Sequence, residues 1–313
     1  MSLMRPDASP GNCPMLLKNL IVYRLSKNWA VKADDLEQKL AAQALQPCGS
    51  FAMESRGWLP PRNDGRFVYT QNTHWLLTLG VEQKILPTSV IRQAAQDRAA
   101  QISAQHGRPV GRKEMRDLKD RVTNELLPRA LAKRTTTRAW IDAKGRWLAI
   151  DAGADKKVEE FLEALRRAEE DFPCKRLDTQ RSAGGAMTSW LSTQAPPHGF
   201  TIDQDLELLS QDMSKATVRY ARHSLDGKDI RDHIKAGKSA VRLGLTWKDK
   251  ISFVLTDELH IKRLGFVDII ADNAEGDAVD EEEQFAMDFA LMTGELSLFL
   301  EDLVEALGGE KTS

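Results

Sequence analysis

Val241-Arg242-Leu243-Gly244-Leu245-Thr246-Trp247, then Lys248-Asp249-Lys250, then Ile251-Ser252-Phe253-Val254-Leu255: this stretch sets the class of fold. In its first run apolar residues alternate with Arg242, Gly244 and Thr246, the period of a half-buried strand. Three polar residues turn the chain, and the alternation resumes at Ile251, Phe253 and Leu255, which predicts an antiparallel hairpin. Thr135 to Asp142 and Arg146 to Asp151, flanking Ala143-Lys144-Gly145, predict a second.

Outward from these, Leu16 to Leu25 reads as a strand, Phe67 to Leu79 as one or two strands around Asn72, and Ala216 to Arg222 as a short one. Helices are expected from Asp34 to about Leu45, Asp155 to Glu170, 203 to 212 and about Gly227 to Lys235. Gly57-Trp58-Leu59-Pro60-Pro61 reads as a loop, and 176–200 as mostly loop with a short helical piece near Ser189-Trp190-Leu191. A helix from Ser89 to His106, closed by Gly107, and another from about Arg112 to Leu127, stopped by Pro128, predict a projecting helical hairpin. Its second helix has the apolar stripe Met115, Leu118, Val122 and Leu126, with Arg112, Arg116 and Lys119 on one face beside it. Phe285, Phe289, Met292, Leu296, Phe299 and Leu303 repeat at 4, 3, 4, 3 and 4 residues along a last, long helix. Such a seam packs either on its own domain or on the same helix of a second subunit.

The class is therefore α+β: a mixed, multi-lobed subunit with antiparallel β-hairpins or a meander, a projecting helical hairpin and a long C-terminal helix. Residues 1–14 read as a disordered extension. The expected division is a central α/β region (15–87, 132–175 and 238–270), the finger (88–131) and a base or dimerisation region (176–237 and 271–313).

The 313 residues are 42% hydrophobic, enough to bury a core and to exclude global disorder. Cys13, Cys48 and Cys174 form no CxxC pair, which excludes a disulfide framework and a four-cysteine zinc site. No run is apolar enough to span a membrane and residues 1–14 lack the core of a secretory signal, so the expected location is cytoplasmic.

The net charge of -2 hides a segregation. From Arg108 to Arg146 twelve basic residues face five acids, 12 − 5 = +7; from Asp257 onward three face sixteen, 3 − 16 = −13. Binding responds to the local field, not to the sum, so the basic segment predicts a polyanion partner. The helix from Arg112 has no Trp or Phe to seat it in a membrane surface, which favours nucleic acid, held through its backbone with weak sequence preference. The acidic 271–283 is expected to be an exposed loop.

Catalytic patterns are missing. Gly237-Lys238-Ser239 lacks the earlier glycine of a phosphate loop, since Asp232 stands there, and Gly237 reads as a helix cap. Gly184-Gly185 has no GxGxxG context, the six histidines show neither HxH nor HExxH spacing, and there is no GxSxG. The expectation is a protein without cofactor, metal or catalytic activity.

Lys18-Asn19-Leu20-Ile21-Val22-Tyr23-Arg24-Leu25, Pro47-Cys48-Gly49-Ser50, Gly57 to Pro61, Glu82-Gln83-Lys84-Ile85-Leu86-Pro87, Leu126-Leu127-Pro128-Arg129-Ala130, Trp140-Ile141-Asp142, His233 to Lys238 and Leu291-Met292-Thr293-Gly294-Glu295-Leu296 occur in the order and spacing of one family. From Met15 to Gly309 the chain resembles the recombination-associated protein RdgC family. The resemblance implies a homodimer closed into a ring by two interfaces, with a basic hole for duplex DNA. It implies sequence-independent binding of single- and double-stranded DNA, antagonism of RecA-promoted strand exchange, a place at the nucleoid and in replication-fork repair, and no catalysis. By resemblance Arg108, Arg112 and Lys113 are DNA contacts at the finger, joined by Arg116 and Lys119 on its basic face. Pro109 and Gly111 stand where the family has basic residues, which implies a weaker finger. Arg222 and His223 match a basic-polar pair of the DNA channel, the histidine making that contact pH-dependent. Leu131 falls at one dimer contact where the family can have an aromatic, and Phe285, Phe289, Met292, Leu296 and Phe299 are placed near the other.

Two further classes are open. The acidic end or the basic finger would also suit a protein-interaction scaffold without DNA encirclement, and acids holding a metal would suit a nuclease.

Overall fold

The structure, a computed structural model, describes residues 17–266 and 281–311. The extension 1–14 and most of the acidic run 271–283 lie outside these residues. The strands are β1 (Leu20–Leu25), β2 (Glu54–Leu59), β3 (Val68–Gln71), β4 (His74–Lys84), β5 (Ala132–Asp142), β6 (Trp147–Asp151), β7 (Cys174–Arg176), β8 (Phe200–Ser210), β9 (Thr217–Tyr220), β10 (Lys238–Trp247), β11 (Ile251–Thr256) and β12 (Ile261–Phe266). The helices are α1 (Ala33–Ala41), α2 (Thr88–His106), α3 (Arg112–Leu126), α4 (Asp155–Ala168), α5 (Ala183–Thr193), α6 (Lys228–Lys235) and α7 (Glu281–Ala306).

The strands form one antiparallel sheet in the order β2-β4-β5-β6-β1-β12-β11-β10-β8-β9, with β3 also on β4 and β7 also on β1. Both expected hairpins form. Leu243 faces Leu255, Leu245 faces Phe253 and Trp247 faces Ile251; Ile141 faces Leu148. The sheet has two halves joined by little: β1 meets β12 at Leu20 and Ile261, beside a Leu264 N–H to Lys18 C=O bond of 2.9 Å.

Alternation on the strands makes two cores. One face of the first half (Ile21, Leu77, Ile141, Leu148, Ile150) is covered by Leu36 and Leu40 of α1 and by Phe161 and Leu165 of α4. The opposite face (Leu20, Leu76, Trp140, Trp147) continues into Leu243, Leu245, Trp247 and Phe253 of the second half, under α5 and α7.

α7 lies across both halves. Phe289 meets the Tyr69 ring at 5.1 Å, the Ser297 hydroxyl donates to Asp142 at 2.7 Å, and Phe299 meets the rings of Trp247 at 5.8 Å and Phe253 at 4.8 Å. Phe289, Met292, Leu296 and Phe299 are fully buried in their own chain, and Phe285 is half-buried on the same core. The seam packs on its own chain, and the assignment of Phe289, Met292, Leu296 and Phe299 to subunit pairing is corrected, because none of them reaches the surface. The outward face of α7 instead exposes Met287, Leu291 and Leu298.

Three local readings are also corrected. Residues 203–212 are not a helix: 203–210 are most of β8, whose even-numbered Leu206, Leu208 and Ser210 are buried; Asp203, Asp205 and Glu207 mark the period of two. Gly57-Trp58-Leu59 belongs to β2 rather than to a loop. The backbone at Leu45 crosses Gly57 so closely that a Cβ there would sit 2.5 Å from the Leu45 Cα. The 176–200 segment contains α5, capped by the Ser182 hydroxyl accepting from the Gly185 N–H at 3.3 Å. A Cβ on Gly184 would stand 3.1 Å from the Asp257 Cβ and 3.3 Å from the Ala240 C=O, so this glycine serves close helix-to-sheet packing. Gly237, read as a cap, follows α6 at φ 87°.

Candidate nucleic-acid interface

α2 and α3 form the predicted finger between β4 and β5. Ala95 and Ala99 pack on Leu118 and Val122, a small cluster separate from both sheet cores. Alanines on one side let the helices approach closely. Gly107 closes α2 at φ 64°.

Arg112, Lys113, Arg116 and Lys119 are all exposed on α3. None of the four makes an ion pair among the described residues. Arg108, in the turn, donates to Glu114 at 3.0 Å, and that bond holds the Glu114 carboxyl below its usual range. Arg98 grips Glu125 with both guanidinium nitrogens at the root of the finger. Acids thus neutralise the turn and the root, leaving the α3 face between them cationic.

Arg222 and His223 follow β9, at the far end of the sheet path. Seven strand steps separate β5 from β9, roughly 34 Å of sheet at the usual strand spacing. Both residues are exposed. The His223 ring lies 5.3 Å from Tyr220, whose hydroxyl donates to Asp229 at 2.8 Å; burial and that bond push the Tyr220 pKa up to about 12. The chain therefore holds two separated basic stations. The outer face of the strands before β9 is mixed in charge: Arg263 pairs with Asp205 at 3.0 Å and Arg242 with Glu207 at 4.0 Å.

Leu131 is 79% exposed at the root of the finger. Its C=O accepts from the Ile85 N–H at 2.7 Å, and the Lys84 N–H donates to the Met53 C=O at 2.8 Å. Phe51, Met53, Ile85 and Val90 are exposed there too, so the fold assembles an apolar patch of which the sequence reading had only Leu131. The other four come from separate segments, and no local pattern joins them.

Sequence reading also missed Asp155, Glu258 and His260, whose ligand atoms lie within 4.8 Å of one another. The Arg176 guanidinium already sits among them, donating to Asp155 at 2.9 Å and touching His260 Nε2 at 2.7 Å. An arginine only donates, so Nε2 is the acceptor and the neutral ring carries its proton on Nδ1, which faces Glu258 at 3.8 Å. The arginine supplies the positive charge that a divalent ion would bring, and the cluster does not fit a metal site. It ties α4 and β7 to the turn before β12, bracing the thin join.

Burial lowers the His260 pKa, against the opposing pull of Asp155. The folded state thus resists protonation, and stability present above the free-histidine value, about 6.5, is lost as pH falls from there through the folded value. Melting temperature is expected to drop between pH 7.5 and 5.5 and His260→Gln to flatten that drop; an equally steep profile in the variant refutes the assignment. His74, also depressed by burial, accounts for a residual slope.

Among the described residues no helix is long and apolar enough to cross a membrane. A family model described as "Putative exonuclease, RdgC" matches residues 15–310. Proteins named "Recombination-associated protein RdgC" are similar along nearly the whole chain. That of Cupriavidus necator is 49% identical over 297 residues, covering 95% of this chain and 99% of its own. That of Janthinobacterium sp. (strain Marseille) is 48% identical over 296 residues, with the same coverage. That of Bordetella pertussis is 44% identical over 297 residues, again covering 95% and 99%. With a family model spanning the described fold and relatives this close over their full length, the chain belongs to the RdgC family of recombination-associated proteins.

Proposed function

We propose that the chain is one subunit of a homodimeric ring that encloses DNA without reading its sequence and so restrains RecA-promoted strand exchange at the nucleoid and at replication forks. The observation that carries this reading is the exposed row Arg112, Arg116 and Lys119, with Lys113 beside its start, on a free-standing helical hairpin, none of the four ion-paired among the described residues. Such a row neutralises backbone phosphates and releases counterions whatever the base sequence. Arg108 joins it once phosphate competes with Glu114, and Arg222 with His223 forms the second station. The function is binding, and no chemical step is assigned to it.

Two exposed apolar patches support closure of the ring. One surrounds Leu131 at the finger root; the other is Met287, Leu291 and Leu298 on α7. From Leu76 of β4, in the core under α7, to Ile85 just past the strand's end in the first patch is nine residues, about 30 Å at a strand's rise per residue. Patches this far apart suit two separate junctions with a second copy.

Retention on DNA at high salt tests the reading. The dimer is expected to stay on closed circular DNA and to run off linear DNA of the same length. Leu131→Asp, which places a charge in one junction, is expected to abolish the difference while leaving initial binding at low salt within about twofold. Equal retention of the unaltered protein on both forms refutes enclosure.

A further inference from the structure

Away from the finger, a cavity of about 450 Å³ opens between the end of β1, the start of β6, β7 and the segment after α7. That is within the range of sites for small ligands. Arg24, Lys27, Arg146, Lys175, Arg176 and Lys311 line it against Asp178 and Glu310, 6 − 2 = +4. Lys27 and Arg146 make no ion pair among the described residues. The Arg24 guanidinium lies 3.2 Å over the centre of the Trp147 ring, and its buried Nε has no hydrogen-bond partner. Arg146 ends the turn between β5 and β6 in the left-handed conformation usual for such a turn, at φ 56°.

One of the two acids, Glu310, is brought by the segment after α7. The segment after α7 lies along 178–181: the Gln180 N–H donates to the Gly309 C=O at 3.0 Å and the Lys311 N–H to the Asp178 C=O at 3.1 Å. This seats the Glu310 carboxylate on Arg24. Asp178 is paired with Lys311 at 3.4 Å and Arg176 with Asp155 at 2.9 Å, so it is Lys27 and Arg146 beside Arg24 that keep the lining cationic.

We propose that this cavity is a site for a phosphate monoester, either a free nucleotide or the phosphorylated end of a nucleic-acid strand, and that Glu310 occupies the phosphate position until displaced. A monoester carries close to two negative charges at neutral pH and three acceptor oxygens, which suits Arg24, Lys27 and Arg146 better than one carboxylate does. A backbone diester has a single charge and so matches these three cations less well. The inference is independent of DNA enclosure, because it involves neither the finger nor the apolar patches.

Calorimetric titration of the full chain with deoxyadenosine monophosphate tests it, with sulfate at matched ionic strength as control. Binding is expected for the nucleotide and at least about tenfold weaker for Lys27→Glu with Arg146→Glu; Glu310→Gln, which removes the competing charge, is expected to tighten it. Displacement of a labelled nucleotide by a 5′-phosphorylated oligonucleotide but not by its 5′-hydroxyl counterpart assigns the strand end. Displacement by neither assigns the free nucleotide. No binding by the unaltered chain and by Glu310→Gln at millimolar nucleotide overturns the proposal. So does unchanged affinity in the double variant with its melting temperature intact, or an equal response to sulfate.

Discussion

Charge reversal of Arg112, Arg116 and Lys119 to glutamate is expected to weaken DNA binding by at least about 100-fold at low salt and to flatten its salt dependence. Each phosphate neutralised adds about −0.9 to the log–log slope of affinity against salt, so three lost contacts remove about 2.7 from it. The loss is expected to be equal on duplexes of unrelated sequence, because backbone contacts position a protein without reading bases. The folded state changes little: all three side chains are exposed, and the finger's core rests on Ala95, Ala99, Leu118 and Val122. Glutamine at the same positions, which removes charge without reversing it, is expected to fall between. Fluorescence anisotropy across a salt series, on two sequences, makes the measurement; an unchanged slope in the glutamate variant removes the finger from the DNA interface.

The second large effect is on stability. Phe299→Ala is expected to destabilise the chain by about 3–5 kcal/mol and to lower its melting temperature on the order of 10 °C. The ring is fully buried at the crossing of Trp247 and Phe253, and its neighbours belong to a sheet that cannot collapse into the space. Leu298→Ala, one residue earlier but on the outward face, is expected to stay within about 0.5 kcal/mol in the monomer. Equal losses in the two variants would mean that α7 does not pack as described.

The contrast between these neighbours shows what was legible in the sequence. The spacing of 4, 3 and 4 residues located the seam of α7 correctly, but periodicity cannot say whether the surface opposite belongs to the same chain or to another. Hairpins 135–151 and 241–255 and the finger were readable because their partners are adjacent in sequence. β8 was misread because Leu206, Leu208 and Leu209 fit either period over so short a run. β2 was misread because Gly57 and Pro60 suggest a turn where the glycine instead admits a crossing backbone. The pairing of Leu20 with Ile261 and the gathering of Phe51, Met53, Ile85 and Val90 have no local signal at all. Of the candidate interface, the basic helix face was visible and the neutralisation of Arg108 by Glu114 was not.

Because α7 follows every strand it covers, the ribosome delivers the splint after the two leaves it holds. Until then the greasy side bearing Trp140, Trp147 and Trp247 has α5 but not α7 to cover it, with β1 and β12 touching at one residue pair. Stalled or clipped chains lacking that last rod therefore present a broad sticky surface, the kind that chaperones recognise and that drives misassembly.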